Sequence, residues 1–431
     1  MKVIKGNKVF MKLAHTLGAT YPGKTIDIEE ENVMTKILLY GVMSENNFGG
    51  PSLMHGAEEI IKELHENYEI VCYQFTKPVD IAVSDMGFKV YQIPYNKTLD
   101  LLLDAIKHKL GMKLQKGERS MFLHHLETSD IVANLFGICF CSNFDKGKYN
   151  YIKSIKSVIG NFSISFVAKM NRIKTVKCTA SYGPIKSKND ITAAKFAAKY
   201  IFDVMCAREN ESERQMRVQA GNKKNILVSP DLANFMSYKA PESNTEKFIG
   251  ISISYQIIRQ WNSNETYIDC MVNLIRHLIA KTGYKVILIP NEITVDNNYN
   301  DLHVANEIHQ MLDYSEKVFI PDVANINSTQ LKTLIAGCEV MIASRYHSCV
   351  AALSAGVPTL VVGWHYKYDE LLHWYGQDKW ILSSENCTSD KLTTMFDDFW
   401  ESRDKEREVI KDKYIDVRKA LIEAGKVMFM K

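Results

Sequence analysis

The sequence predicts an α/β protein made of two Rossmann-like domains, each built on a parallel sheet. Three observations support this. The chain has 431 residues, enough for two domains of about 100–200 residues each. Short apolar runs typical of buried strands alternate with longer segments of helical periodicity, as in parallel sheets. A polar segment containing Ser, Asn and Pro, residues 237–246, divides the series in two and suits a linker.

The first series begins after residues 1–34, a polar stretch without clear pattern that we treat as an N-terminal extension. Strands are predicted at 37–40, 70–75 and 130–134. An Asn- and Gly-rich turn follows the first strand and leads into a helix at 51–65, where Pro51 suits the first turn. This series predicts a Rossmann-like domain at residues 35–240.

The second series has the clearer alternation. Its strands are predicted at 248–253, 285–290, 318–320, 340–342 and 360–362. Between the first two, Met271, Leu274 and Leu278 recur at helical spacing, and Gly283 ends that helix. We therefore predict a second Rossmann-like domain at residues 241–388. The charged segment 389–431 is expected to be helical and to pack back across the first domain.

Composition limits the classes of partner. The net charge is only +3, and no nucleic-acid recognition motif is present, so nucleic acid is not an expected ligand. The nine cysteines form no Cys-x-x-Cys pair, which argues against a zinc site or a disulfide framework. His124 and His125 are adjacent, and neighbouring side chains of a helix or strand point apart, so no metal site is expected there.

The cysteine usage favours a reducing cytoplasm. Lys8, Lys12 and His15 interrupt any apolar core of a secretory leader, so we do not expect one. No apolar run reaches the roughly 18 residues that span a bilayer. We therefore expect a soluble or peripheral protein in the cytoplasm, with the inner face of the membrane as the alternative location. The oligomeric state is not predicted.

The segment Ser344–Ser348 is the strongest functional signal. Arg345 and His347 lie between a predicted strand and a predicted helix, where open α/β sheets bind ligands. An arginine can hold a carboxylate or phosphate, and a histidine two residues away can transfer a proton. The local pattern also fits a surface ion pair for Arg345 and a capping role for His347.

Several motifs in this order resemble the polysaccharide pyruvyl transferase family, whose members carry Arg-x-His, then a Gly-x-Pro turn, then a Lys. Here these are Arg345-Tyr346-His347, Gly356-Val357-Pro358 and Lys367. The supporting motifs upstream are Asn47-Phe48-Gly49, Ser181-Tyr182-Gly183-Pro184, Ala207-Arg208-Glu209-Asn210-Glu211-Ser212 and Ser229-Pro230-Asp231. The resemblance covers roughly residues 36–375, and the shared order makes it fairly specific.

The resemblance implies a GT-B-like fold of two facing Rossmann-like domains with a cleft between them. It also implies transfer of a pyruvyl group from phosphoenolpyruvate to hydroxyls of a sugar, in a cell-surface polysaccharide or its lipid-linked precursor. Phosphoenolpyruvate is then the donor substrate, and no further cofactor is expected. The first domain would bind the acceptor and the second the donor.

On this resemblance, His347 is the general acid that protonates the methylene carbon of the donor, and Arg345 acts beside it. Arg345 and Arg208 would hold the donor anions, with Lys367 as a weaker point charge. Asn47 and Gly49 would present donors from the facing domain. Ser348, within the same motif, is assigned to substrate binding.

Each secondary assignment has a structural alternative. Arg208 could form a salt bridge to a neighbouring glutamate, Glu209, Glu211 or Glu213. Lys367 could be an ordinary surface residue. Asn47 and Gly49 could simply form the turn that their residue types favour.

The sequence also departs from the family pattern at two places. Gly50 stands where the family usually has Asp, and a Gly-Gly pair is reduced to Gly137. Gly50 keeps a non-catalytic relative open as an alternative. The other alternative is a nucleotide-sugar glycosyltransferase, which would place a cationic pocket for a diphosphate at the same strand ends.

A basic stretch at 146–177 contains eight Lys or Arg and no acidic residue, interleaved with apolar and aromatic side chains. Such a pattern can lie on an anionic membrane surface, where a lipid-linked acceptor would give the contact a purpose. The favoured interpretation is a core helix and strand with a solvated basic face.

Overall fold

The computed structural model describes residues 34–431 except 46, 115, 142–147, 222–224, 242–245 and 294–299. Most of the predicted N-terminal extension, residues 1–33, lies outside the described residues. So do residues 242–245 of the predicted linker. The domain boundaries inferred from sequence stay predictions.

The first sheet has parallel strands in the order β3-β2-β1-β4-β6-β7-β8, with β5 beside β6. Its strands are β1 Thr35–Tyr40, β2 Tyr68–Gln74, β3 Lys89–Gln92, β4 Ile131–Asn134, β5 Ile138–Cys139, β6 Lys174–Tyr182, β7 Val204–Ala207 and β8 Ile226–Val228. Its helices are α1 Gly49–Leu64, α2 Asp80–Val83, α3 Thr98–Lys109, α4 Glu118–Thr128, α5 Tyr151–Asn161, α6 Ser163–Met170, α7 Lys188–Phe196 and α8 Asn210–Ala220. A π-helix, Ala197–Ile201, extends α7, and a 3₁₀ turn spans Leu232–Phe235.

The second sheet is also parallel, in the order β11-β10-β9-β12-β13-β14. Its strands are β9 Phe248–Ile253, β10 Lys285–Pro290, β11 Val318–Phe319, β12 Cys338–Ala343, β13 Thr359–Gly363 and β14 Ile381–Ser383. The helices are α9 Tyr255–Ile258, α10 Tyr267–Thr282, α11 Asp301–Met311, α12 Ser328–Ala336, α13 Tyr346–Ser354, α14 Lys367–Trp374 and α15 Ser389–Phe429, with a 3₁₀ turn at Val323–Asn325. The predicted fold class, two parallel-sheet α/β domains, is confirmed.

The central strands are buried along their length because helices cover both faces of each sheet. One hydrophobic core joins the domains, since β1 and α1 pack with residues of α13 and with the end of α15. A second core fills the space between β9, β12, α10 and the start of α15. The long helix α15 therefore contributes to the packing of both domains. No helix in the described part of the chain is long and apolar enough to cross a bilayer.

The strand orders fix where a ligand can enter. In the first sheet the order reverses between β1 and β4, and in the second between β9 and β12. Ligands of open α/β sheets bind at such switch points, outside the carboxyl ends of the strands. The turns after β1, β4 and β12 begin at Gly41, Leu135 and Ser344.

Candidate active site

A cavity of about 360 Å³ lies between the two domains at these switch points. Six predicted site residues line it, namely Asn47, Gly49, Arg208, Arg345, His347 and Lys367. Ser348 does not line it, because α13 turns this side chain inward, where its hydroxyl is buried and accepts a hydrogen bond from Asn291 Nδ2 at 3.3 Å. The helices α1 and α13 both begin at the cavity, and the first residues of each, Gly49 and Gly50 in α1 and Tyr346 and His347 in α13, line it.

Arg345 is held by two carboxylates. Its Nε donates to Asp301 Oδ2 at 2.8 Å, and its Nη2 donates to Asp301 Oδ1 at 2.5 Å and Glu292 Oε2 at 2.7 Å. Asp301 is fully buried, whereas Glu292 is partly exposed. These contacts orient the guanidinium plane. Nη1 has no partner among the described residues and remains for a ligand.

Arg208 also forms ion pairs, and the one with Glu209 is a salt bridge that the sequence offered as the structural alternative for this arginine. Its Nε donates to Glu209 Oε1 at 2.9 Å and Ser181 Oγ at 2.8 Å, and its Nη1 donates to Asp231 Oδ2 at 2.8 Å. The guanidinium stacks on Tyr346, 4.3 Å from the ring centre. Arg208 is buried yet lines the cavity, so it is both a structural ion-pair residue and a candidate anion ligand.

His347 packs directly against Gly49 of the other domain. A Cβ at position 49 would overlap the imidazole, so this approach requires glycine. His347 Nε2 is buried and has no hydrogen-bond partner within the described ranges. Burial, with the nearby cations Arg208 and Lys367, lowers the pKa of His347 to about 4. Without a ligand the imidazole is therefore neutral near pH 7.

Lys367 is buried, so the prediction that it could be a plain surface residue is wrong. Its ammonium lies 4.6 Å from the centre of the Trp364 ring and 5.4 Å from those of Tyr346 and Tyr368. No carboxylate or other hydrogen-bond acceptor contacts it in the part of the chain that the structure describes. Burial, followed by repulsion from Arg208, lowers the pKa of Lys367 to about 7. Aromatic faces contact this ammonium, and Glu209 adds a weaker attraction without touching it.

The turn before α1 combines both roles predicted for it. Asn47 Oδ1 accepts a hydrogen bond from Gly50 N at 3.1 Å, which is the turn-forming alternative. The backbone of Asn47 also forms an antiparallel bridge to Glu292, which joins the domains beside Arg345. A Cβ at position 50 would overlap the backbone carbonyl of Met43, so this chain has no room for an aspartate there.

The first domain supplies an apolar wall to the cavity. Its members are Met43, Phe75, Phe136 and Ile138, each between 40% and 52% exposed. Met43 and Phe136 come from the turns after β1 and β4, and Phe75 directly follows β2. The cavity therefore has a cationic side, formed mainly by the second domain, and an apolar side.

Sequence reasoning missed several lining or supporting residues. Glu292 follows β10 and could have been suspected, because residues just after strand ends often reach the ligand site, whereas Asp301 begins α11 and carries no such signal. Trp364 follows β13 in the same way. The apolar wall carried no sequence signal, since exposed Phe and Met cannot be distinguished from core residues by composition alone.

The model of the family described as polysaccharide pyruvyl transferase matches residues 47–366. The match spans most of the chain and includes all the predicted site residues except Lys367, which follows its last residue. The chain therefore belongs to the polysaccharide pyruvyl transferase family. Among curated proteins no sequence match is found.

Solved structures with the same fold include three sugar-nucleotide proteins. A protein named as a UDP-N-acetylglucosamine 2-epimerase from Listeria monocytogenes has a TM-score of 0.58 and 8% identity, covering 88% of this chain and 91% of its own. The UDP-GlcNAc 2-epimerase from Methanocaldococcus jannaschii has a TM-score of 0.54 and 12% identity, covering 84% and 92%. HepE from Anabaena in complex with UDP has a TM-score of 0.52 and 11% identity, covering 91% and 98%. At these identities the likeness establishes the GT-B-like fold.

Proposed function

We propose that this protein transfers a pyruvyl group from phosphoenolpyruvate to hydroxyls of a sugar, in a cell-surface polysaccharide or its lipid-linked precursor, in the cytoplasm. The main support is the cavity that brings Arg208, Arg345, His347 and Lys367 together in a chain of the pyruvyl transferase family. Phosphoenolpyruvate carries a carboxylate and a phosphate, which suit a guanidinium edge and an ammonium group. No further cofactor takes part in the proposed reaction.

In the proposed reaction, the methylene carbon of the donor gains a proton, and the neighbouring carbon becomes an oxocarbenium-like electrophile. A sugar hydroxyl attacks this carbon and loses its proton. Phosphate then leaves, and a second hydroxyl closes a cyclic ketal. One hydroxyl proton replaces the proton given to the methylene carbon, and the other leaves with phosphate.

His347 is the proposed proton donor, although its pKa of about 4 leaves it neutral in the free enzyme. Donor binding offsets this. One negative charge 4 Å away contributes about 4 kcal/mol at an effective dielectric constant of about 20, which raises a pKa by about 3. The bound donor would thus raise the pKa of His347 towards neutral pH, the range in which a general acid works best.

The apolar wall of Met43, Phe75, Phe136 and Ile138 is the proposed acceptor side. A pyranose ring has a face of C–H groups that packs on aromatic and aliphatic side chains, while its hydroxyls point outward. Phe75 and Phe136 provide rings for such packing, on the domain opposite Arg345. The hydroxyls would then face the donor.

Phosphate release from phosphoenolpyruvate, measured with a lipid or polysaccharide fraction of the source cells, tests the proposal. His347→Gln and Arg345→Ala should abolish release. Because Arg345→Ala leaves buried Asp301 unpaired, thermal unfolding must show that the variant is folded. Gly137→Ala is the control, since its Cβ would meet only Arg208 Nη1 at 3.7 Å. Normal turnover by folded His347→Gln would refute the assigned role.

The nucleotide-sugar alternative is tested by the ligand that stabilises the protein. The Anabaena HepE structure contains UDP, and a diphosphate could also meet the cations of this cavity. Ligands that bind the native state raise the unfolding temperature. Stabilisation by phosphoenolpyruvate supports pyruvyl transfer, and stabilisation by UDP alone would favour glycosyl transfer. An intact fold that responds to neither would favour a non-catalytic relative.

A further inference from the structure

Charge is distributed very unevenly along this chain. Residues 146–202 contain twelve of the 53 Lys and Arg residues but one of the 50 Asp and Glu residues, Asp190. That segment therefore carries a formal charge of +11, while the remainder of the chain carries −8. A near-neutral protein thus has one strongly cationic region, wider than the basic stretch 146–177.

The structure separates this region into a buried part and an exposed part. Lys177 is buried, and Lys169 pairs with Asp203. In contrast, the exposed lysines of the α5 and α7 region include five that form no ion pair with the residues that the structure describes. These are Lys148, Lys153, Lys156, Lys195 and Lys199.

Large apolar side chains lie exposed among these lysines, between 48% and 65% accessible. They are Tyr149, Tyr151, Ile152 and Tyr200. On α5 the core-facing positions are Ser154 and Val158, so Tyr151 and Ile152 belong to the solvent face of the helix. Core packing therefore does not explain these side chains, although it does explain Phe162, Ile164 and Val167.

Local contacts hold α5 beside α7, the two helices around which these residues lie. Asn189, at the start of α7, accepts hydrogen bonds from Ser154 Oγ at 2.8 Å and from Asn150 N at 3.0 Å, which fixes α5 beside α7. The Lys199 ammonium lies 4.7 Å from the centre of the Tyr200 ring and near enough to Tyr151 for the two to interact electrostatically. We call this surface, formed by the five lysines and four apolar residues, the α5/α7 face.

We propose that the α5/α7 face binds an anionic lipid bilayer. Tyrosine rings favour the headgroup level of a membrane, an aliphatic tip such as Ile152 favours the acyl boundary, and lysines attract lipid phosphates. A nucleic acid would also attract the lysines and could stack on the tyrosine rings, but it would leave the aliphatic side chain of Ile152 in water. The combination of charge and apolar tips fits a membrane surface better than a soluble polyanion.

In the sequence, the α5/α7 face begins shortly after a residue that lines the candidate active site. Ile138 lines the cavity, and Lys148 follows ten residues later, a reach of at most about 35 Å. This bound is compatible with a sugar on a membrane-anchored lipid reaching the cavity while the face holds the bilayer. This last step rests on the proposed function, whereas membrane binding itself does not.

Flotation of the purified full-length protein with vesicles tests the inference. One vesicle preparation is phosphatidylcholine alone, and the other also contains phosphatidylglycerol. The protein should float with the anionic vesicles only, and high salt should release it because salt screens exposed charges. Absence of flotation with anionic vesicles, or equal flotation with both, would overturn the proposal.

Variants localise the binding. Lys153→Glu combined with Lys156→Glu should weaken partition by about 25-fold or more, because each lysine near an anionic surface contributes about fivefold. Tyr151→Ser combined with Ile152→Ser should weaken it while leaving the charge unchanged. The matched control is Lys317→Glu with Lys419→Glu, exposed lysines outside the region. Equal losses in the control, or none in the α5/α7 variants, would refute the assigned surface.

Discussion

Gly49→Ala is the sharpest test of the cavity's geometry. A Cβ on Gly49 would lie 2.6 Å from His347 Cε1 and closer still to Nδ1, whereas carbon contacts ordinarily lie at about 3.5–4.0 Å. The imidazole must therefore move by about 1 Å, and a displacement of that size can cost about 10²-fold in rate. We expect kcat/KM to fall by about two orders of magnitude. Overpacking should also cost about 1–3 kcal/mol of stability.

The assay is phosphate release from phosphoenolpyruvate, with thermal unfolding as the check on folding. Gly137→Ala is the matched control, because it adds the same methyl group to the same cavity at an ordinary contact distance from Arg208. The control should retain activity within a few fold. An independent readout is the NMR signal of the His347 ring, which should shift in Gly49→Ala and stay unchanged in the control. A folded Gly49→Ala with wild-type turnover would refute the reasoning.

Three further variants probe other features of the cavity. In the wild type we expect kcat/KM to fall as pH rises through about 7, where Lys367 loses its proton. Lys367→Arg keeps the charge but resists deprotonation, so this fall should move to higher pH. An unchanged pH profile would assign the fall to another group. Arg208→Ala should lower the free energy of unfolding in urea by about 3–5 kcal/mol, because it leaves buried Glu209 and Asp231 unpaired, and an unchanged denaturation midpoint would contradict this. Gly50→Asp, which restores the family's usual residue, should destabilise the fold through overlap with the carbonyl of Met43 and gain no activity; higher turnover would show that the turn adapts.

The sheets were predictable because their strands are continuous apolar runs. The strands at 248–253 and 285–290 have the predicted bounds. Helix α1 begins at Gly49, two residues before the expected start at Pro51. The difference arises because Asn47 Oδ1 accepts a hydrogen bond from Gly50 N. This contact brings two glycines into the first turn of the helix, which helix propensity alone would not predict.

The candidate site was predictable as a set of positions but not as a set of contacts. Strand ends and motif order indicated Arg345, His347 and Arg208, which the cavity brings together. Their partners come from separate turns. Asp301 lies 44 residues before Arg345 in the chain, so no local sequence pattern could show that the two residues pair. The burial of Lys367 depends on rings from two elements, Trp364 and Tyr346, and exists only after the second sheet has folded.

The cations of the cavity differ in how far neighbouring carboxylates compensate their charge. A guanidinium has five N–H donors in a planar fork, so Arg208 and Arg345 can bind their carboxylates and still offer an edge to a ligand. Those carboxylates offset the cost of burying the arginines, but they also cancel their charge. Lys367 has no carboxylate contact among the described residues, so its charge, which is lost as pH rises through its pKa of about 7, is the least compensated of the three.

This charge balance predicts a separation of kinetic effects between Lys367 and His347. Lys367→Met should mainly raise the KM for phosphoenolpyruvate, because it removes a charge that, in the proposed reaction, would hold the donor in both the ground state and the transition state. His347→Gln should mainly lower kcat, because in the proposed reaction this residue transfers its proton only in the transition state. Steady-state kinetics with varied phosphoenolpyruvate distinguish the two. If Lys367→Met lowered kcat with KM unchanged, the lysine would act in proton transfer, a role that its pKa of about 7 would permit.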